Sequence, residues 1–422
     1  MRFNVGILSV GDEILIGQTV NTNAAYIGKM VSSIGCRVQH SFCCPDDSNV
    51  MKEQLDYLIQ RNNAVVITGG LGPTHDDITK NVLVEYFNDE LYHNDEVLAK
   101  IKRYFTDRNR VMRSINNELA LVPRKAFFIE NNIGTAPGIH YDNKVGNLNC
   151  DVFSLPGVPR EMRSMLDGYL IDILNSRIQQ DYLKQVYYTI ETSGIGESDL
   201  AEMIGDPEEI IDLTSSLAYL PSTGGVRLRI GTEGTDTEKN HTKIASIAKT
   251  LTERVGKYIV SSDEFSKSEV LKKMLIRNGM SISVAESCTG GMLGSYLTEL
   301  SGSSQFFYGG VIAYSNAIKT TQLGVSVETL DLYGAVSEQT AIEMATGVKE
   351  KLNTDIGISI TGIAGPSGGS IDKPVGTVWI GMSTPMSNYA RKFLFGKHRS
   401  ANRELSVSSA TNMLIEYLKD QN

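Results

Sequence analysis

A run of β-branched and small apolar residues, Ala64-Val65-Val66-Ile67-Thr68, breaks directly into Gly69-Gly70-Leu71-Gly72-Pro73-Thr74-His75-Asp76-Asp77-Ile78-Thr79. A strand that gives way to glycines and then to a helix start belongs in a layered α/β fold, whose strand-end turns face ligand. The segments before it agree. Phe3, Val5, Ile7, Leu8 and Val10 read as a buried strand and Gly11-Asp12-Glu13-Ile14-Leu15 as the turn after it. Asn23 to Ile34 and Val50 to Ile59 have helical spacing, with a short strand from Arg37 to Ser41 between them. This alternation predicts a doubly wound α/β domain on a parallel sheet. In the glycine turn the backbone can approach a phosphate closely, and the following helix supplies N–H donors and positive dipole. Asp76 and Asp77 stand where an oxygen-preferring cation such as Mg²⁺ could bridge carboxylate and diphosphate. The same residues also suit a plain turn in which Asp76, Asp77 and Thr79 merely cap a helix.

A second strand-to-helix turn lies near residue 287. The alternating run Ser281-Ile282-Ser283-Val284 leads into Ala285-Glu286-Ser287-Cys288-Thr289-Gly290-Gly291, and Met292 to Leu300 reads as a helix with apolar Leu293, Tyr296, Leu297 and Leu300. Ser287 therefore projects from a rigid edge. The N–H groups of Cys288, Thr289, Gly290 and Gly291 would be free to hold an oxyanion or a phosphate, although an ordinary capped helix start has the same composition. A serine nucleophile needs a base. The only later histidine is His398, between Lys397 and Arg399, so a Ser-His-Asp triad is disfavoured. A lysine kept neutral by burial is the alternative. Lys319 fits, just beyond a turn after the strand-like run Gly309 to Tyr314, and the Tyr314 phenol could relay the proton. The turn Ser359-Ile360-Thr361-Gly362-Ile363-Ala364-Gly365-Pro366 closes a third apolar run, so three polar turns can converge at one sheet edge.

Composition narrows the class. A chain of 422 residues predicts two or three domains. A net charge of −9 argues against nucleic acid as a main partner. No apolar run approaches the roughly 20 residues that span a bilayer, and no signal-peptide layout precedes the first strand. Five scattered cysteines without metal-like spacing suit a reducing compartment, so a cytoplasmic location is expected. Cys288 could itself be a nucleophile, but a small packing residue is the preferred reading.

From residue 265 to 418 the AESCTGG turn, the Gly309–Lys319 segment, the Thr361-to-Pro366 turn and the Gly376-Thr377-Val378-Trp379 strand resemble the CinA family, whose C-terminal part is a nicotinamide-nucleotide amidase domain. The resemblance implies hydrolysis of the carboxamide of nicotinamide mononucleotide to nicotinate mononucleotide and ammonia. It makes Ser287 the nucleophile, Lys319 the base and Tyr314 an assisting hydroxyl, with Thr289, Gly290, Gly291, Thr361 and Arg399 binding substrate. Arg399 stands where the family usually has Gly-Asp-Arg and this chain has Gly396-Lys397-His398-Arg399. No cofactor is implied for this domain.

Residues 1 to 170 resemble the N-terminal domain of the same family, related in fold to molybdopterin-binding domains, through GDEIL, Asn21-Thr22-Asn23, the Gly69 turn, Gly134 to Gly138 and Pro156 to Met162. The implied activity is a metal-dependent pyrophosphatase on ADP-ribose or a similar nucleotide diphosphate. Asp12, Glu13, Asp46, Asp76 and Asp77 would hold a divalent cation such as Mg²⁺, and Gly69, Gly70, Gly72, Thr74 and Asn21 the phosphates, with Gly157 and Glu161 at the nucleoside end. Two departures touch this domain: Cys43-Cys44-Pro45-Asp46-Asp47 replaces the family's Val-Gly-Asp-Asp, and a Gln usual near Leu119 is missing.

Residues 171 to 258 read as a small α+β connector, with strands at Val186 to Glu191 and Val226 to Ile230 and helices at Ser198 to Ile204 and Glu238 to Val255. It resembles the family's KH-like middle domain, yet Asp206-Pro207-Glu208-Glu209 and the lack of a basic, aromatic patch argue against nucleic-acid binding. Ser261 to Ser268 reads as a polar linker into an α/β amidase domain over 259 to 422. Small-molecule nucleotides are the expected partners and a homodimer the expected assembly. The alternative is a non-catalytic, nucleotide-binding or partner-recruiting protein linked to competence and DNA damage.

Overall fold

The computed structural model describes residues 1–145, 149–222, 224–263 and 265–421. Two compact units divide the chain: residues 1–187 with 231–244, and residues 188–230 with 245–422. The chain is mixed α/β throughout.

In the first unit β1 (Asn4–Val10), β2 (Arg37–Cys44) and β3 (Ala64–Thr68) are joined by the helices Thr22–Ser33 and Ser48–Ile59. After the short antiparallel pair β4 (Leu91–His93) and β5 (Leu121–Pro123) come β6 (Phe127–Ile129), β7 (Gly138–Tyr141) and β8 (Asp151–Leu155). The main sheet has the order β2-β1-β3-β8-β7-β6. Its central strands β1, β3 and β8 are buried along almost their whole length and mostly apolar because both faces are covered. Successive side chains go to opposite faces: Val5, Ile7 and Val66 join a core with Ile27 and Val31, while Leu8, Val10, Val65 and Ile67 join one with Met51 and Leu55. Each such aliphatic side chain stabilises the fold by about 1.5–3 kcal/mol.

The sheet departs from the expectation of an all-parallel one. β2, β1, β3 and β8 are parallel, but β7 runs antiparallel to β8 and β6 to β7. Local boundaries differ too. Asp12–Leu15 is one helical turn rather than a loop, and β2 continues to Cys44 because its ladder pairs Val10 with Cys44. Pro45, which has no N–H, follows its end.

The middle segment forms β9 (Lys184–Thr192), β10 (Ser215–Ser222), β11 (Gly225–Gly234) and β12 (Ile259–Ser262), a separate sheet in the order β10-β11-β9-β12. Ser261 and Ser262, read above as linker, are β12 residues that pair with Glu191 and Ile190 of β9. Glu264 of that stretch lies outside the described residues.

The C-terminal part contains β13 (Ile282–Glu286), β14 (Phe307–Ile312), β15 (Ile356–Gly362), β16 (Thr377–Ser383) and β17 (Asn388–Leu394), in the order β14-β13-β15-β16-β17. β14, β13 and β15 are parallel; β16 and β17 extend the sheet antiparallel. The helix after β13 ends at Leu297, shorter than the spacing to Leu300 predicts. No helix among the described residues is long and apolar enough to cross a membrane.

Candidate functional site

Three parallel strands set the geometry near Ser287. Glu286 is level with Ile312 on one side and Ile360 on the other, so the turns after β13, β14 and β15 open at one sheet edge. Ser287 is the first residue beyond β13, and its N–H donates to the Ile360 carbonyl at 2.9 Å. Gly290 and Gly291 then adopt φ of 62° and 97°, which glycine tolerates and other residues resist. The chain can therefore begin the helix Met292–Leu297 at once. Glu286 secures that start. Its buried carboxylate accepts N–H bonds from Gly291 at 3.0 Å, Leu293 at 3.1 Å and Gly294 at 2.8 Å, satisfying donors that a helix leaves unpaired at its N-terminus.

This arrangement corrects the expectation of four free amides at the turn. The Gly291 N–H is committed to Glu286 and the Gly290 N–H to the Ser287 carbonyl at 3.1 Å. Among the described residues, the Cys288 and Thr289 amides donate to no other residue. Two amides, not four, are left for an oxyanion.

Lys319 reaches the turn from the helix Asn316–Leu323, which Ser315 caps. Its side chain is only 1% exposed. Nζ donates to Ser287 Oγ at 3.1 Å and to the Ala313 carbonyl at 2.8 Å. Burial pushes the ammonium below the ordinary lysine range, against a smaller opposing influence from Cys288. Deprotonated, the amine would accept from the Ser287 hydroxyl across the same contact. Cys288 faces the apolar core, and burial pushes its thiol up to about 11, so it stays protonated at neutral pH.

The remaining expected residues are placed less centrally. Tyr314 is 63% exposed, and its hydroxyl accepts from Arg399 Nη2 at 3.3 Å; it makes no hydrogen bond to Ser287 or Lys319. A proton relay through Tyr314 is therefore not present in this arrangement. Arg399 also donates from Nη1 to the Gly365 carbonyl at 2.9 Å. Thr361 is buried at the end of β15 and donates its hydroxyl to the Ala335 carbonyl at 2.6 Å, which leaves its oxygen able to accept but not to donate.

In the first unit the parallel strands β1, β2, β3 and β8 bring Gly11, Asp46, Gly69 and Gly157 to one edge, around a cleft of about 430 Å³. Glu13, Asn21, Asp46, Gly69, Gly70, Gly72, Asp76, Asp77, Gly157 and Glu161 line it; Asp12 and Thr74 do not. Close packing explains two glycines. A Cβ on Gly69, whose φ is +103°, would meet the Val10 carbonyl at 2.3 Å, and one on Gly70 would meet Thr79 Oγ1 at 2.3 Å. Asp77 holds the turn, accepting from the Gly72 N–H at 2.8 Å, the Thr74 N–H at 3.0 Å and the Thr74 hydroxyl. Asn21 caps the helix Thr22–Ser33 through the Ala24 N–H and donates to Ser9. Asp46 accepts from the Asp12 N–H at 3.2 Å. Burial raises the Asp46 carboxyl pKa above the usual range; the Asp12 N–H works against this, and the charges of Asp12, Glu13 and Asp76 add to it.

Carboxylate oxygens are suitable donors for a hard cation. Yet among the described residues no three His, Cys, Asp or Glu side chains converge to hold a metal ion, and Asp77 is already committed to its own turn. Of the five expected carboxylates, Glu13, Asp46, Asp76 and Asp77 line the cleft and Asp12 does not.

Other residues shape these sites beyond those expected to act on or bind ligand. Asn131 shapes the cleft wall by donating to Glu161 at 2.6 Å and to the Ala136 carbonyl, while accepting from the Ile133 and Gly134 N–H groups. Asn23 donates to the Gly157 carbonyl at 2.8 Å. Glu286 could have been noticed as an acidic residue ending an apolar strand just before a helix.

Comparison with known proteins covers most of the chain. Residues 264–418 match the CinA C-terminal domain, residues 6–176 the family described as "Probable molybdopterin binding domain", and residues 188–261 the "Damage-inducible protein CinA KH domain". A CinA-like protein of Salinibacter ruber is 39% identical over 96% of this chain and 97% of its own length, and one of Chloroherpeton thalassium is 38% identical over 98% of each. Among solved structures, the competence/damage inducible protein CihA from Agrobacterium tumefaciens is 38% identical over 36% of this chain and 94% of its own, with a TM-score of 0.35.

Proposed function

The chain belongs to the CinA family, and on that premise we propose that its C-terminal domain is an amidase that hydrolyses nicotinamide mononucleotide to nicotinate mononucleotide and ammonia. The observation that carries this reading is the 3.1 Å contact between buried Lys319 Nζ and Ser287 Oγ, with the lysine pKa lowered by burial. In the neutral state Lys319 takes the Ser287 proton as Oγ attacks the carboxamide carbon. The resulting oxyanion is held by the Cys288 and Thr289 N–H groups. Lys319 returns the proton to the nitrogen, ammonia leaves, and an ester on Ser287 remains. Water, deprotonated by the same lysine, then splits that ester to the carboxylate and restores the hydroxyl. Arg399 and Tyr314, exposed at the rim, bind the distal part of the nucleotide. The test is ammonia release by the full chain with EDTA and with Mg²⁺, beside Ser287→Ala. Release that survives EDTA and is lost in the variant supports the reading; equal release by the variant overturns it.

A second activity is favoured by the cleft of about 430 Å³ in the first unit. We propose that it binds a nucleotide diphosphate such as ADP-ribose, with the glycine turn held open by Asp77 against the phosphates. Calorimetric titration with ADP-ribose tests this, and no binding with or without Mg²⁺ would reject it. The proposed segments are the diphosphate-binding domain at 1–170, the connector at 171–258 and the amidase domain at 259–422.

A further inference from the structure

The helix Arg399–Lys419 begins in a way that opposes its own dipole. Lys397 and His398 precede it, Arg399 opens it, Arg403 follows one turn later, and its first turn carries no acidic residue. Cations near a helix N-terminus are disfavoured, and a broken local rule points to a compensating role. That role is visible in the hydrogen bonds. Arg399, Asn402 and Arg403, spaced i, i+3, i+4, share one helix face. Arg399 donates to the Gly365 carbonyl at 2.9 Å and to the Tyr314 hydroxyl at 3.3 Å. Asn402 donates to the Ala364 and Gly396 carbonyls, each at 2.9 Å. Arg403 donates from Nη2 to the Thr289 carbonyl at 2.7 Å. One helical turn therefore ties down segments following β13, β14, β15 and β17.

We propose that Arg403 is a positioning residue for the Ser287 nucleophile, an inference that rests on the amidase reading above. Two glycines with left-handed φ make the turn from Ser287 to Gly291 conformationally permissive. The Thr289–Gly290 peptide is held at both ends: its N–H by the Ser287 carbonyl at 3.1 Å, its C=O by Arg403 at 2.7 Å and, over a longer contact of 3.4 Å, by the Met292 N–H. Without the guanidinium the carbonyl keeps only the long Met292 contact, so the peptide is less restrained, and its rotation moves Ser287 Oγ relative to Lys319 Nζ. Among the described residues Arg403 Nε is buried with no acceptor, an unfavourable state that a residue serving only surface solvation would not adopt.

The experiment compares wild type, Arg403→Met and Arg403→Lys in the full chain. It reads the rate at which a fluorophosphonate labels Ser287, kcat and KM for ammonia release from nicotinamide mononucleotide, and thermal unfolding. Loss of the tether is expected to slow labelling and kcat in Arg403→Met by roughly ten- to a hundredfold. KM and melting temperature should change little, and Arg403→Lys should recover part of the loss. Wild-type labelling by Arg403→Met overturns the proposal, as does a change confined to KM or a loss explained by unfolding. Labelling of the wild type without ammonia release would refute the substrate while leaving Arg403 to be judged by labelling alone. A wild type whose Ser287 is inert would bring down both.

Discussion

Replacing Lys319 with methionine tests the base assignment while changing side-chain volume little. The site is 1% exposed, so a straight-chain apolar residue fits where the lysine stem lies. The two donations from Nζ, to Ser287 Oγ and the Ala313 carbonyl, are lost. An acceptor left unsatisfied costs about 1–3 kcal/mol, and removing a buried cation relieves a desolvation cost of similar size. The net change in stability should therefore be within about 2 kcal/mol. Loss of a general base should lower kcat by about 10²–10⁴, or roughly 3–5 kcal/mol in the barrier. The variant should be folded and nearly inactive. The pH dependence carries a second signature. Because burial lowers the folded-state pKa, the active neutral amine forms as pH rises toward the ordinary lysine range, so wild-type kcat/KM should climb there. In the same window the unfolded chain holds the extra proton, so raising pH stabilises the wild type through this group, and Lys319→Met should lack that component. Ammonia release and urea unfolding across pH measure both. A variant retaining more than about a tenth of kcat, or a flat wild-type profile, would refute the assignment.

Glu286→Ala removes the acceptor for three N–H groups and should destabilise the chain by about 2–4 kcal/mol in urea unfolding; a change below about half a kcal/mol would show that the helix start does not depend on it. Cys288→Ala should keep activity within about threefold, because a thiol held at about 11 contributes no thiolate at neutral pH; a drop beyond about tenfold with the fold intact would reopen the thiol as nucleophile. Gly69→Ala introduces a Cβ against the Val10 carbonyl at a positive φ; it should abolish ADP-ribose binding measured by calorimetry, and unchanged affinity would argue against the glycine turn as the phosphate cradle.

Much of this fold was legible because its signals are local. The apolar runs that became β1, β3, β13 and β15, and the glycine turns after them, follow from composition and spacing alone. The antiparallel strands β6 and β7 were not legible, since direction and pairing depend on partners far along the chain. The same holds at the site. Ser287 and Lys319 could be nominated from residue type and context, and they meet at 3.1 Å. Asn402 and Arg403 could not, because a polar residue that binds backbone carbonyls in another segment looks in sequence like a solvated one; Glu286 did carry a signal, as an acidic residue closing an apolar strand just before a helix. The free-amide expectation failed for the same reason: spacing shows where N–H groups are, but not that Glu286 and the Ser287 carbonyl accept two of them.

The most direct measurement is mass spectrometry of the full chain after acid quench during turnover of nicotinamide mononucleotide. The account predicts an acyl adduct on the peptide bearing Ser287, absent in Ser287→Ala and independent of EDTA. An adduct on Cys288, or steady ammonia release with no dependence on Ser287, would contradict it.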